Sequence, residues 1–272
     1  MYKLIALDVD GTLVNSKKEL TARVRQSLLR AQSMGANLAI ITGRVPCSTF
    51  KYAELLDMAR GGGYVVGFNG AKIVLCSEPD NILFEQEFPA EYIKPVCDVL
   101  KGRQFSITTY DPDNRMINGN VLTNHVIENS KMLNIPYNFV DNFADYITFS
   151  IDKLLILGDE EDISKLEIEL VEKFGGDLSI FRSARTMIEL ASPKVNKGNA
   201  LKWLCEKLNI KQSECVAFGD SENDISMIKY AGLGVAMGNA LDSVKACADM
   251  VTATNNQDGV AEVIENLFNF LS

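Results

Sequence analysis

Apolar positions along this chain change their spacing from segment to segment, and the changes alternate regularly. "KLIALDVD" (3–10) is a continuous apolar run closed by acids, the composition of a strand buried on both faces of a parallel sheet. "ELTARVRQSLLRAQSMG" (19–35) switches to helical spacing, with Val24, Leu28 and Ala31 on one face and Gly35 as a stop. "NLAIITGR" (37–44) reads as a second strand, "TFKYAELLDMAR" (49–60) as a helix, and the triple glycine at 61–63 as a turn. "YVVGFNGAKIVL" (64–75) is strand-like again. This order predicts a doubly wound α/β fold.

The alternation resumes towards the C-terminus. "KGNALKWLCEKLN" (197–209) reads as a helix, "ECVAFGD" (214–220) as a strand and "ENDISMIKYAG" (222–232) as a short helix. "GVAMG" (234–238) and "DMVTA" (249–253) follow as strands, and "GVAEVIENLFNFL" (259–271) as a closing amphipathic helix. The middle of the chain differs. There "AEYIKPVCDVLKG", "LTNHVIENSKMLN" and "EDISKLEIELVEKFGG" read as helices, and "FSITTY", "KLLILG" and "LSIFRSARTMIEL" as strand-like pieces. The pattern predicts a Rossmann-like parallel-sheet core from residues 1–83 and 187–272, with an α+β domain, 84–186, inserted between its halves.

Composition narrows the partners. Of 272 residues 47 % are apolar and 23 % charged, enough for a sizeable core, and the net charge of −9 disfavours a binder of nucleic-acid phosphates. An anionic ligand must therefore be caught by local charge or a metal, against the average field. No run of eighteen apolar residues predicts a membrane span. The opening segment has no signal-peptide pattern, and six cysteines occur without a CxxC pair, as in a cytoplasmic protein with reduced thiols.

Three predicted strands end on groups suited to phosphate or metal: Asp8 and Asp10, then Thr42, then Asp220 with Asp224. In an open parallel sheet, ligands bind outside the carboxyl ends of the strands. Carboxylates without histidine or cysteine nearby make a hard-oxygen site, as Mg²⁺ prefers. Each residue also has a plainer reading. Asp220 could cap a helix, Thr42 could merely end a strand, and Lys197 could be a solvated charge. Asn69 and Gly70 read first as a hairpin turn and second as part of a site. The lone histidine, His125, reads as structural.

"DVDGTL" (8–13), "TGR" (42–44), Lys197 in "NKGNAL" and "GDSENDISM" (219–227) resemble, in order, the four motifs of the haloacid dehalogenase-like hydrolases, more narrowly the Cof-type phosphatases. The resemblance spans essentially the whole chain and implies a core with an inserted cap that closes over it and selects the substrate. It implies Asp8 as nucleophile, and Mg²⁺ held by Asp8, the main-chain carbonyl of Asp10 and Asp220. Asp10 would protonate the leaving group and then activate water, which calls for a raised pKa. Thr42, Gly43, Lys197 and Asn223 would hold the phosphate, and Asp224 would hold Lys197 or a metal-bound water.

The implied activity is Mg²⁺-dependent hydrolysis of small phosphomonoesters, sugar phosphates or phosphorylated cofactors, through an aspartyl-phosphate. A phosphomutase such as a phosphomannomutase, or a regulator that is phosphorylated without turnover, would carry the same motifs. Two other patterns are coincidences. Cys97 and Arg103 match the CxxxxxR spacing of cysteine phosphatases but lie in a helical stretch without a phosphate cradle. "GLGVAMG" (232–238) has the wrong spacing for a dinucleotide loop. Arg115, in "TTYDPDNRMIN", is an outside candidate for meeting substrate.

Overall fold

A computed structural model describes residues 2–269; the last two residues of the closing helix expected at 259–271 lie outside that range. Among the described residues, fourteen strands form two sheets. In chain order the first five are β1 (Leu4–Leu7), β2 (Asn37–Ile41), β3 (Tyr64–Gly67), β4 (Lys72–Leu75) and β5 (Glu78–Glu85). The inserted segment supplies β6 (Ser106–Tyr110), β7 (Met116–Asn120), β8 (Tyr137–Phe139), β9 (Lys153–Leu157), β10 (Ser179–Ala184) and β11 (Met187–Ala191). The chain then returns for β12 (Cys215–Gly219), β13 (Leu233–Ala236) and β14 (Met250–Val251).

Two compact units result, Met1–Glu85 with Asn196–Ser272, and Gln86–Val195. The second boundary falls at 195/196 and not at 186/187. Met187–Ala191 pairs antiparallel with both β9 and β10, so it belongs to the inserted sheet.

The first unit is an eight-stranded sheet in the order β14-β13-β12-β1-β2-β3-β4-β5. Its strands run parallel from β14 to β3, and β4 and β5 add an antiparallel edge. The edge was only half foreseen. "YVVGFNGAKIVL" folds back on itself at Phe68–Gly70, and β5 is too polar to read as a strand because its residues are largely exposed.

The parallel strands are continuous apolar runs because both faces are covered. Ile5, Leu7, Leu38, Ile40, Val216 and Phe218 meet helix Ala22–Ser33 through Val24, Leu28 and Ala31, and helix Gly259–Leu267 through Val260, Val263 and Ile264. On the opposite face Leu4, Ala6, Ala39, Ile41 and Ala217 meet Ala200, Leu201 and Leu204 of helix Lys197–Lys207. Helices of 11 and 12 residues are marginal alone. Burial of each such side chain, worth about 1.5–3 kcal/mol, keeps them formed.

The inserted unit is a six-stranded sheet in the order β10-β11-β9-β6-β7-β8. One face carries Ile107, Ile117, Leu154, Ile156, Ile188 and Leu190 against Val96 and Leu100 of helix Ile93–Leu100 and Ile163, Leu166 and Leu170 of helix Glu160–Phe174. A buried ion pair, Lys153 Nζ to Glu189 Oε2 at 2.9 Å, joins β9 to β11.

Candidate active site

The sheet order places three chemically loaded strand ends side by side. β1 pairs with β2 on one side and β12 on the other, with Leu7 in register with Ile40 and Phe218. The residues that follow at the carboxyl edge therefore come together although some 210 positions separate Asp8 from Asp220 in the chain. The Asp8 amide still donates to the Phe218 carbonyl at 3.1 Å, so the nucleophile candidate is anchored by sheet hydrogen bonding. Val9 turns into the core, fully buried.

Lys197 reaches this edge from the first residue of its helix, which begins there because the Asn196 side chain accepts the Asn199 amide at 2.8 Å. The lysine is 1 % exposed, and its ammonium lies 2.6 Å from Asp8 Oδ1 and 2.6 Å from Asp224 Oδ1. The other Asp224 oxygen accepts the amides of Asp220 and Ser221, both at 2.9 Å. Asp224 thus accepts from three protein donors and holds the lysine. The capping work on this turn is done by Ser221 and Asp224, not by Asp220 as the plainer reading had it.

Asp220 instead accepts the Thr12 hydroxyl at 3.1 Å. A Cβ on Gly11, whose φ is +82°, would sit 2.3 Å from Asp220 Oδ2, so only glycine lets the "DGT" turn lie against this carboxylate.

Carboxylate oxygens of Asp8, Asp220 and Asp224 all lie within 4.8 Å of one another. Three carboxylates face one ammonium, and the electrostatics register the mismatch. Burial pushes Asp8 up to about 8; Lys197 opposes this, while Asp224 and Asp220 add to it. Asp220 is pushed up to about 6 by burial and then by Asp224. Lys197 goes up too: burial alone would lower it, but Asp224 and Asp8 prevail. A hard divalent cation fits this donor set, all oxygen and short of positive charge.

Asp10 departs from expectation. Its side chain lies 38 % exposed, gripped by the Arg44 fork, Nε to Oδ2 and Nη2 to Oδ1 at 2.6 Å each, and by Lys18 Nζ at 2.5 Å. Burial raises its pKa, but these donors outweigh burial and hold it below the usual carboxylate range. An acid at neutral pH needs the opposite shift, so in this conformation Asp10 is an ionised base. Arg44 was in view within "TGR" but carried no role; Lys18 and Thr12 gave no signal beyond ordinary polarity.

The remaining candidates sit as follows. Thr42, 2 % exposed, accepts the Arg44 amide at 3.2 Å, with Gly43 between them. Asn223 Nδ2 donates to Asn69 Oδ1 at 2.9 Å. Outside this cluster, Cys97 lies in helix Ile93–Leu100 with its thiol pushed up to about 11 by burial, and Arg103 pairs with Glu169. "GLGVAMG" enters β13. His125 meets Asp159 at 3.2 Å, and Arg115 folds onto Asp111 and Asp113 of its own turn.

A doubly wound core with a carboxylate–lysine cluster at the switch point of its sheet is the mark of a phosphoryl-transfer class. The family model for haloacid dehalogenase-like hydrolases matches residues 5–264, and the chain belongs to that family. Phosphatase YwpJ of Bacillus subtilis is 32 % identical over 97 % of this chain and 99 % of its own length. The 5-amino-6-(5-phospho-D-ribitylamino)uracil phosphatase YcsE of the same organism is 32 % identical over 97 % and 95 %.

The crystal structure of a haloacid dehalogenase-like hydrolase from Bacteroides thetaiotaomicron superposes with a TM-score of 0.90 at 36 % identity, covering 98 % of this chain and all of that one. The enzyme class is phosphoric monoester hydrolase. Among the described residues no helix is long and apolar enough to cross a membrane.

Proposed function

We propose that this protein hydrolyses small phosphomonoesters, sugar phosphates or phosphorylated cofactors, through an aspartyl-phosphate on Asp8. The observation that carries the reading is Lys197, buried and equidistant from Asp8 and Asp224 at 2.6 Å. An ammonium there screens a carboxylate nucleophile from an incoming anion and then stabilises the charge that spreads over the transferring group. Carboxylate attack needs no general base, because Asp8 acts in its ionised form.

Asp8, Asp220 and the main-chain carbonyl of Asp10 would hold Mg²⁺, which when bound supplies Lewis-acid charge to the phosphate and favours the ionised form of Asp8. Thr42, Gly43, Lys197 and Asn223 would hold the phosphoryl oxygens, while Asp224 fixes Lys197. Asp10 has both carboxylate oxygens held by the Arg44 fork, so its acid role towards the leaving group and its base role towards water on the acyl phosphate both require release from Arg44. The ribitylamino-uracil phosphate named for one relative supports a small phosphorylated metabolite as substrate.

A screen of phosphorylated metabolites with Mg²⁺, wild type beside Asp8→Asn, tests the proposal. Inorganic phosphate released by the wild type and not by the variant is the expected result. Equal rates would remove Asp8 as nucleophile. An isomerised sugar phosphate without free phosphate would make the enzyme a mutase.

A further inference from the structure

The turn between β3 and β4 is strained where a simple hairpin would not be. Phe68, Asn69 and Gly70 have φ values of +52°, +58° and +109° in succession. A left-handed bulky residue such as Phe68 is a backbone outlier, and such residues persist only where surrounding contacts over-determine them.

Three of the turn's backbone contacts lead to the active-site edge. The Phe68 amide donates to the Arg44 carbonyl and the Asn69 amide to the Thr42 carbonyl, each at 2.9 Å. Gly70 lies so close to the start of the Lys197 helix that a Cβ would meet the Asn196 carbonyl oxygen at 2.6 Å. The Asn69 side chain, in a residue 5 % exposed, covers Gly43, whose own Cβ would stand 3.0 Å from Asn69 Oδ1.

That Oδ1 accepts Asn223 Nδ2, leaving Asn223 Oδ1 buried without a hydrogen-bond partner among the described residues. A polar atom buried unpaired is costly in a residue kept only for packing and ordinary in one built to meet a ligand. The two amides form one unit. Whichever edge Asn69 presents decides which edge Asn223 turns towards the space beside Thr42 and Gly43.

We infer that Asn69 is a positioning residue for phosphate, holding the Asn223 amide in register with Thr42 and Gly43 through the strained Phe68–Gly70 turn. The inference rests on the phosphatase reading but adds to it a residue that touches Asn223 and not the substrate. The left-handed backbone also supplies a clean probe, since Asn69→Gly removes the side chain while relaxing the turn.

The experiment is a double-mutant cycle of wild type, Asn69→Gly, Asn223→Ala and the double variant. It reads inorganic phosphate affinity by calorimetry with Mg²⁺ present, together with kcat, KM and Tm. Losing one buried positioning hydrogen bond should weaken phosphate binding and raise KM about tenfold in Asn69→Gly. In the Asn223→Ala background the same change should do nothing.

Equal losses in both backgrounds, or a lower Tm with unchanged phosphate affinity, would make Asn69 structural and overturn the inference while leaving the phosphatase reading intact. A wild type that neither binds nor releases phosphate would remove both.

Discussion

Each unit of this protein buries a lysine against carboxylate, and the two sites differ in one respect. In the inserted unit Lys153 meets Glu189 at 2.9 Å, a lysine side chain 5 % exposed against a glutamate 6 % exposed. In the core unit Lys197 meets Asp8 and Asp224 at 2.6 Å, with Asp220 close by. The first sets one lysine against one glutamate and ties two strands together. The second has more carboxylate than lysine, and burial first, with the neighbouring carboxylates adding to it, raises the pKa values of Asp8 and Asp220. Buried charge is thus not in itself a sign of function. Buried carboxylate in excess points to one, because its self-repulsion is relieved when a cation binds among the oxygens.

Removing the proposed nucleophile should separate the sites most sharply. Asp8→Asn is expected to lower phosphate release by about 10³-fold or more while the protein stays folded by circular dichroism. Lys197→Met should follow, with a loss of roughly 10²–10³-fold in kcat.

Lys153→Met should break the comparison the other way, through stability. Stranding Glu189 should cost about 3–5 kcal/mol in urea unfolding, and pairing it with Glu189→Leu should recover most of that. Restored stability without restored folding cooperativity would give the pair a further role in specifying the fold.

Metal linkage should be smaller and confined to the core unit. Asp8 and Asp220 carry raised pKa values of about 8 and about 6, so a divalent cation must displace protons at neutral pH. Mg²⁺ affinity, followed by calorimetry, should therefore rise with pH between 6 and 8. Without metal the sign reverses for stability. An acid with a raised folded pKa contributes stability that is fully present below its unfolded value of 3.8 and lost as pH climbs through about 8. Thermal unfolding of the metal-free protein should accordingly move to lower temperature along that range. The change smallest in size should come from Arg44→Lys, which keeps the charge beside Asp10 but loses the fork; kcat is expected to fall about three- to tenfold.

Much of the core was legible before any coordinates. The parallel strands announced themselves because burial on both faces leaves no polar positions to interrupt "LIAL", "LAII" or "VAFG". The loaded strand ends stood out because carboxylates are costly beside such runs. The edge strand β5 did not, since an exposed edge needs no apolar pattern. The boundary at 186/187 cut through "LSIFRSARTMIEL", because apolar alternation marks a strand without saying where the sheet it joins ends.

Within the site, residue types were readable and their mutual service was not. Holding Lys197 was one of two roles the resemblance left open for Asp224, the other being to hold a metal-bound water. Asp10 under Arg44 and Asn69 beneath Asn223 were not anticipated, because nothing in "TGR" or "FNG" states which neighbour a side chain will meet.

Sequence settled the alternation of elements, the acidic character of the strand ends and the family, since these depend on residue type and order along one dimension. Tertiary structure alone decided the protonation preferences and the pairing of amides and ions. Those depend on burial and on distances of a few ångströms between residues far apart in the chain, which only the packing of the sheet and its helices creates.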